Sequence, residues 1–288
     1  MIEGQLPAQI GLLLRAAAGR LRASESARLD AELLLAHILN RPRSYVLSEP
    51  DVTLSATQNE RFEALVDRRA AGEPLAYLTG EREFWALPLK LSPAVLIPRP
   101  ETELLVERSL ALLGAEPAAV ADLGTGSGAV ALALASERPS WQITATDQSV
   151  AALQVAAANA RRLELHNVNF LPGSWFEPLR GLRFALLVSN PPYVAETDPV
   201  LRTPPLTHEP REALASGADG TDALRTLIVG GREHLLPGGW LLLEHGAAQA
   251  GWVAKLLVAQ GYAHVGCHQD LAGHARVTAG QAPDLAAT

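Results

Sequence analysis

The sequence predicts an α/β protein, a seven-stranded doubly wound sheet preceded by a small N-terminal helical domain. Three observations predict it. Apolar residues in roughly the first 75 positions recur near helical spacing. From Val120 onward, short apolar runs alternate with helix-length segments, as in parallel strands joined by crossover helices. Between the first of these strands and its helix lies a glycine turn, Asp122-Leu123-Gly124-Thr125-Gly126-Ser127-Gly128.

The helical region divides into three stretches. Leu12, Leu13 and Leu14 sit in the first, which runs to about Arg22. Leu29, Leu33, Leu34 and Ile38 mark a second from Ser26 to Leu39, and Asn40 to Pro42 stop it. Ser55 opens a third, with Gln58 three positions on as a capping box, and Gly72-Glu73-Pro74 ends it. Pro74 to Pro98 is interrupted by prolines and rich in Tyr, Phe and Trp, so it reads as a hairpin-like connector. A helix follows from about Glu101 to Leu113.

Strands then fall at Ala119–Leu123, Gln142–Thr146, Val168–Leu171, Phe184–Ser189 and Trp240–Glu244. Helices fall at Ala129–Ser136, Val150–Arg162, Thr221–Leu235 and Trp252–Gln260. Tyr262–His268 and His274–Thr278 read as a closing antiparallel pair. A long loop, roughly Val194 to Gly220, has a length that in compact domains usually serves function. The residues after Gly280 read as a disordered tail.

Composition narrows the function classes. With 48% hydrophobic and 19% charged residues, the chain can build one large core and a smaller second domain. A net charge of −7 gives no electrostatic reason to grip a bare nucleic-acid backbone, so no direct nucleic-acid partner is expected. The lone Cys267 can form neither an internal disulfide nor a Cys-rich zinc site. The eight histidines show no ligand spacing with acids, and no metal is expected. No stretch approaches the roughly 18 apolar residues of a membrane span, and Met1-Ile2-Glu3-Gly4 does not open a signal peptide. A cytoplasmic protein is expected.

A glycine turn between strand and helix lets backbone and ligand approach closely, but dehydrogenases use such a turn too. Two carboxylates separate the possibilities. Asp147, ending the next strand, is placed to accept hydrogen bonds from ribose hydroxyls. Asp122, just before the turn, is placed to meet a cationic amino group, which a pyrophosphate ligand does not offer. S-adenosylmethionine carries both the ribose and the ammonium.

The strand Phe184–Ser189 runs into Asn190-Pro191-Pro192-Tyr193, beyond the carboxyl end of the sheet, where ligands of open parallel sheets bind. These residue types suit an NH2 substrate. An amide nitrogen is a poor nucleophile because its lone pair is delocalised, as the rotation barrier of roughly 18–20 kcal/mol attests. The Asn190 side-chain oxygen and the Pro191 carbonyl can accept its two N–H bonds, which favours pyramidalisation as the lone pair attacks a methyl group. The prolines hold that carbonyl rigidly, and Tyr193 offers a flat face to a planar amide or base. Asn190, Pro191 and Tyr193 are thus the candidate catalytic residues, and Pro192 joins them in binding substrate. Catalysis would be mainly alignment and charge stabilisation. Glutamine and an adenine or guanine amino group both remain open on these residues alone.

The glycine turn together with Asn190-Pro191-Pro192-Tyr193 resembles the protein-(glutamine-N5) methyltransferases, over nearly the whole chain. Pro74 to Gly80, Leu96 to Glu103 and Leu243-Glu244-His245-Gly246 carry the resemblance further. Ile97-Pro98-Arg99-Pro100-Glu101-Thr102-Glu103 is similar to the branch acting on peptide chain release factors. A sister branch acts on a large-subunit ribosomal protein. The resemblance implies a Rossmann-like methyltransferase sheet and methylation of the glutamine in the Gly-Gly-Gln loop of bacterial release factors 1 and 2. It implies cofactor contacts from Gly124, Thr125, Gly126, Ser127, Gly128, Asp147, Trp175 and Asn190, with Trp175 near the adenine. It further implies glutamine contacts from Asn190 to Tyr193. On this reading residues 1–85 are a helical substrate-binding domain with a hairpin connector to about 98. Residues 99–280 are the S-adenosylmethionine-dependent domain, and 281–288 a tail.

His245 after Glu244 reads as a packed strand end rather than an acid–base pair, and His208-Glu209 as part of a substrate-facing lid. The competing readings are a nucleic-acid amino methyltransferase, a nicotinamide-dependent oxidoreductase and a non-catalytic cofactor-binding module. The oxidoreductase leaves Asn190 to Tyr193 without a task, and the module keeps the glycine turn but does not need the Asn190 amide.

Overall fold

A computed structural model describes residues 8–283. Backbone contacts divide the chain between Gly80 and Glu81.

The N-terminal unit consists of α1 (Ile10–Arg20), α2 (Ala27–Leu39), α3 (Arg43–Ser48), α4 (Ala56–Ala70) and α5 (Leu75–Thr79). Ile10, Leu34, Leu35, Val46, Phe62 and Val66 meet in its core. The capping box at α4 forms as its sequence requires: Gln58 N donates to Ser55 Oγ at 3.2 Å, and Ser55 N donates to Gln58 Oε1 at 3.0 Å. Asn40 closes α2 in the left-handed conformation. Buried Asp30 is neutralised by Arg69 at 2.8 Å, and buried Glu32 by Arg43 at 2.7 Å. Two elements depart from expectation. The six-residue helix α3 is too short to show periodicity, and α5 sits inside the stretch read as connector.

The second unit opens with a hairpin, β1 (Glu81–Phe84) and β2 (Leu87–Lys90), then a 3-10 turn (Pro100–Thr102) and α6 (Glu103–Leu112). The sheet strands are β3 (Ala119–Leu123), β4 (Gln142–Asp147), β5 (Val168–Pro172), β6 (Phe184–Ser189), β7 (Leu235–Glu244), β8 (Ala263–Gln269) and β9 (Ala275–Gln281). The intervening helices are α7 (Ala129–Glu137), α8 (Val150–Arg162), α9 (Asp222–Gly231) and α10 (Ala250–Ala259).

The sheet is seven-stranded, in the order β5-β4-β3-β6-β7-β9-β8. Only β9 runs against the others, because it pairs antiparallel with both β7 and β8. Period-two alternation sorts its core onto two faces. Val120, Leu186, Val188 and Leu242 pack with Leu105 of α6 and Leu132 of α7. Leu123, Leu187, Leu241 and Leu243 pack with Leu224 and Ile228 of α9 and Leu257 of α10.

Boundaries move most around β7 and at the end of β9. Strand β7 begins five residues before Trp240, so α9 ends at Gly231 rather than at Leu235. Strand β9 runs through Gln281, and Ala282 is buried with its N–H on Gly239 O at 2.7 Å. Gln281 and Ala282 thus depart from the disordered tail expected after Gly280, and residues 284–288 of that tail lie outside the described residues. The long loop contains three short 3-10 turns. Among the described residues, no helix is long and apolar enough to cross a membrane.

Replacing Ser55 by Ala removes the acceptor for Gln58 N, and should cost about 1 kcal/mol of stability. Urea unfolding followed by circular dichroism measures this, and an unchanged midpoint would show that the cap carries no stability.

Candidate active site

Strand β3 is flanked by β4 on one side and β6 on the other, and the register pairs Asp122 with Ala145 and with Val188. The carboxyl ends of all three strands thus open on one edge. Ser189 Oγ donates to Leu123 O at 2.6 Å and ties two of those ends together. A cleft lies at this edge, where ligands of open parallel sheets bind.

The glycine turn forms its floor. Gly124 and Thr125 N–H groups both donate to Thr146 O at 2.9 Å, fixing the turn against β4. Gly124 has φ +76°, and a Cβ there would lie 3.1 Å from the Trp175 ring. Glycine is what lets that indole lie over the turn. A Cβ on Gly126 would meet no protein atom within 4 Å, so it would fill only the space that a ligand would use. Asp147 is held at the rim by two amides, Gly126 N at 2.9 Å and Ser149 N at 2.8 Å. Burial raises its pKa, and those two bonds oppose the rise. These features fit the adenosyl part of S-adenosylmethionine: a backbone cradle, a fixed carboxylate acceptor and a flat aromatic face.

Of the residues singled out in sequence, Gly124, Gly126, Asp147, Trp175, Asn190 and Pro192 line this cleft together. Thr125, Ser127, Gly128, Pro191 and Tyr193 are not among its lining residues. Thr125 turns inward, donating to Asp122 Oδ2 at 2.6 Å. Asp122 is a correction. It is only 1% exposed and also accepts from Ala131 N at 3.2 Å, so it braces the turn and the start of α7 rather than facing a ligand ammonium. Burial pushes its carboxyl up to about 7.

The Asn190 Nδ2 group donates to Thr102 Oγ1 at 3.0 Å. The Tyr193 hydroxyl donates to Glu244 Oε1 at 3.3 Å, and burial raises its pKa. The Tyr193 carbonyl accepts from Gln249 Nε2 at 3.0 Å. It also lies 2.4 Å from where a Cβ on Gly220 would sit, so the loop can close over the motif only through a glycine. His245, set aside in sequence, is buried and bonded to Thr278 Oγ1 at 2.7 Å.

Sequence reading missed the far wall. Val95 and Leu96 of the connector and Pro210 and Glu212 of the long loop face the glycine turn across the cleft. One buried contact joins those two segments: Glu209 accepts from Ile97 N at 3.0 Å and pairs with Arg99. Glu209 therefore anchors the loop and does not face substrate, contrary to the lid reading of His208-Glu209. The loop length was a usable signal, but its anchor was not visible. Among the described residues, no group of three His, Cys, Asp or Glu side chains could hold a metal ion.

Fold and site together define a class, the α/β methyltransferases with a glycine turn after the first sheet strand. A model of the methyltransferase small domain matches residues 100–217, and one of the PrmC N-terminal domain matches residues 13–80. Solved structures agree in fold. The catalytic domain of hMettl16, in complex with an RNA hairpin, superposes with a TM-score of 0.58 at 15% identity, over 87% of this chain and 93% of that one. A Pyrococcus furiosus methyltransferase gives 0.54 at 17% identity, over 77% and 98%.

Sequence relatives narrow the class. The release factor glutamine methyltransferase of Xylella fastidiosa is 52% identical over 89% of this chain and 94% of its own length. Those of Vibrio cholerae and Escherichia coli are 49% and 46% identical, each over 93% of this chain and 95% and 97% of their own. The chain belongs to the release factor glutamine methyltransferase family, whose domain and fold imply use of S-adenosylmethionine.

The buried Asp122 makes stability depend on pH. Its carboxyl is raised from an ordinary 3.8 to about 7 in the fold. The folded chain therefore binds more protons across that interval, and stability contributed by this group falls as pH rises from about 4 to about 7. Asp122→Asn should lose this slope, gaining stability relative to wild type between about pH 5 and pH 8 in urea titrations. A difference that stays constant with pH would mean that Asp122 is already ionised when folded.

Proposed function

We propose that the protein transfers a methyl group from S-adenosylmethionine to the side-chain amide nitrogen of the glutamine in the Gly-Gly-Gln motif of peptide chain release factors 1 and 2, in the cytoplasm. The observation that carries this reading is the convergence of Asn190 with Gly124, Gly126 and Asp147 on one cleft, in a chain about half identical to enzymes named for that substrate. The cofactor supplies a methyl group made electrophilic by its sulfonium. The residues supply position. Asp147 holds the ribose hydroxyls, the glycine backbone lets the cofactor lie against β3, and the Trp175 face takes the adenine. Thr125, Ser127 and Gly128 set the turn's path, with Asp122 bracing it from behind.

Asn190 Oδ1 and the Pro191 carbonyl each accept one N–H of the glutamine amide, so its lone pair is aimed at the methyl group. Pro192 and the Tyr193 ring keep the amide plane in place. A neutral amide needs no strong base, because its proton becomes acidic only as the methyl bond forms. Near-attack alignment in a water-poor cleft carries the rate. By the family resemblance, the N-terminal helical unit helps to grip the release factor.

Incubation with labelled S-adenosylmethionine and purified release factor, with ribosomal protein and DNA in parallel, tests the assignment once the modified residue is mapped. Label on the Gly-Gly-Gln glutamine is expected, and label on DNA or ribosomal protein alone overturns it. Asn190→Ala should lower turnover on the order of 10²–10³-fold, the range for losing one oriented polar group, with a smaller change in cofactor affinity. Asp147→Ala should act the other way, weakening S-adenosylmethionine binding in calorimetry. Unchanged cofactor affinity would remove the ribose role.

A further inference from the structure

Leu243-Glu244-His245-Gly246 carries part of the family resemblance, yet no step of the transfer uses it. This stretch and the 3-10 turn that follows it, Ala247–Gln249, meet Tyr193 at three points. Glu244 Oε1 accepts the Tyr193 hydroxyl at 3.3 Å. Gly246 lies beside the ring, and a Cβ there would stand 3.8 Å from Tyr193 Cδ2. Gln249 Nε2 donates to the Tyr193 carbonyl at 3.0 Å. The stretch is itself fixed to β9: His245 N donates to Arg276 O at 2.9 Å, and the buried imidazole bonds Thr278 Oγ1 at 2.7 Å.

The Gln249 carboxamide reaches two further groups. Its Nε2 also donates to Gly220 O at 3.1 Å, and its Oε1 accepts from Gly246 N at 2.9 Å. Among the described residues, no backbone amide donates to the Tyr193 or Gly220 carbonyl. Those carbonyls can only accept, and Gly246 N can only donate. A carboxamide satisfies all three, with its NH2 toward the carbonyls and its oxygen toward Gly246. A carboxylate would keep the bond to Gly246 but set a negative oxygen against two carbonyls, and an apolar side chain would leave all three groups unmet. The bond to Gly246 alone is a local turn cap. The two carbonyl bonds leave that turn and join both ends of the long loop, which begins after Tyr193 and closes at Gly220.

We propose that Gln249 is a positioning residue of this site, holding the Tyr193 backbone so that the ring meets the substrate amide in one fixed plane. The inference rests on the reading of Tyr193 as the flat face for the glutamine amide. Bonds at the hydroxyl and at the carbonyl fix the two ends of Tyr193, with Gly246 beside the ring between them. The bond to Gly220 keeps the exit of the long loop packed on the same carbonyl, since even a Cβ at Gly220 would come within 2.4 Å of Tyr193 O. A shift of the loop exit therefore displaces Tyr193 as well.

Gln249→Glu and Gln249→Leu, each in the full chain with release factor as acceptor, test the proposal. Both should lower kcat about 10- to 100-fold, up to the loss that a displacement of about 1 Å at a reacting group brings. S-adenosylmethionine affinity in calorimetry should stay as in wild type, because the glycine turn and Asp147 are held by bonds to β4 and to each other. Gln249→Glu keeps the acceptor for Gly246 N. Wild-type kcat in that variant would reduce Gln249 to a turn cap and overturn the proposal, whatever the rate of Gln249→Leu. A second readout needs neither acceptor nor turnover. The chain has four tyrosines. With 13C-labelled tyrosine rings, the Tyr193 signal, assigned with Tyr193→Phe, should move in both variants while those of Tyr45, Tyr77 and Tyr262 stay. An unmoved Tyr193 signal, or a displacement shared by all four, would also overturn the positioning role. A wild-type chain that leaves release factor unmethylated, with the Tyr193 signal displaced in the variants, would instead overturn the proposed substrate alone.

Discussion

Because β3 lies between β4 and β6, the chain must leave three neighbouring strands at the same edge and turn away in different directions. That divergence leaves a crevice that no helix covers, and the rest of the second unit is arranged around it. The glycine turn leaves β3, Asp147 ends β4 and Asn190 follows β6, so residues far apart in sequence become neighbours through strand register alone. The Ser189 bond to Leu123 O holds two of these exits together where no further ladder bonds exist. A shift of one residue in β6 would turn its buried side chains to the other face and carry Asn190 away with them.

The site stores its polar groups in a layer behind the cleft. Asp122 and Glu244 are both almost fully removed from solvent, and both carboxyls are pushed up to about 7 by that burial. They do different work. Asp122 accepts from the Thr125 side chain of its own turn and from the Ala131 amide of α7, and so ties the glycine-rich turn to the helix that follows it. Glu244 accepts the Tyr193 hydroxyl from the motif beyond β6. The surface facing a ligand combines backbone, an indole and one carboxamide with the carboxyls of Asp147 and Glu212, and none of these groups is a cation that would repel a sulfonium.

How far the sequence disclosed this follows from the range of the interactions involved. The cap at Ser55 depends on residues three apart, and it forms as read. The apolar run of β6 and the glycine turn are also local, which is why the parts of the cleft carrying Gly124 and Asn190 were legible. The opposite wall was not. Glu209 reads as a loop acid until Ile97 and Arg99 are found beside it, and that partnership spans more than a hundred residues. Asp122 was misread for a related reason: position before a glycine turn does not reveal whether a carboxylate points out or back. Glu244 sits beside a histidine at a strand end, and only Tyr193 gives it a context. The length of β9 beyond Gly280 depends on pairing with β7, which no local pattern encodes.

The long loop between β6 and α9 is pinned at two levels. Across its base Val194 N donates to Leu214 O and Ser216 N donates to Val194 O, and Glu209 clamps its middle to the connector. Chain between Glu196 and Pro205 bulges outward from these fixed points, and most of it is exposed. Loop closure grows only slowly in cost with length when the ends are held. The segment is thus a place where residues can be inserted, deleted or exchanged for a tag without altering the walls of the cleft. Any such change would alter only what an approaching protein meets at the rim.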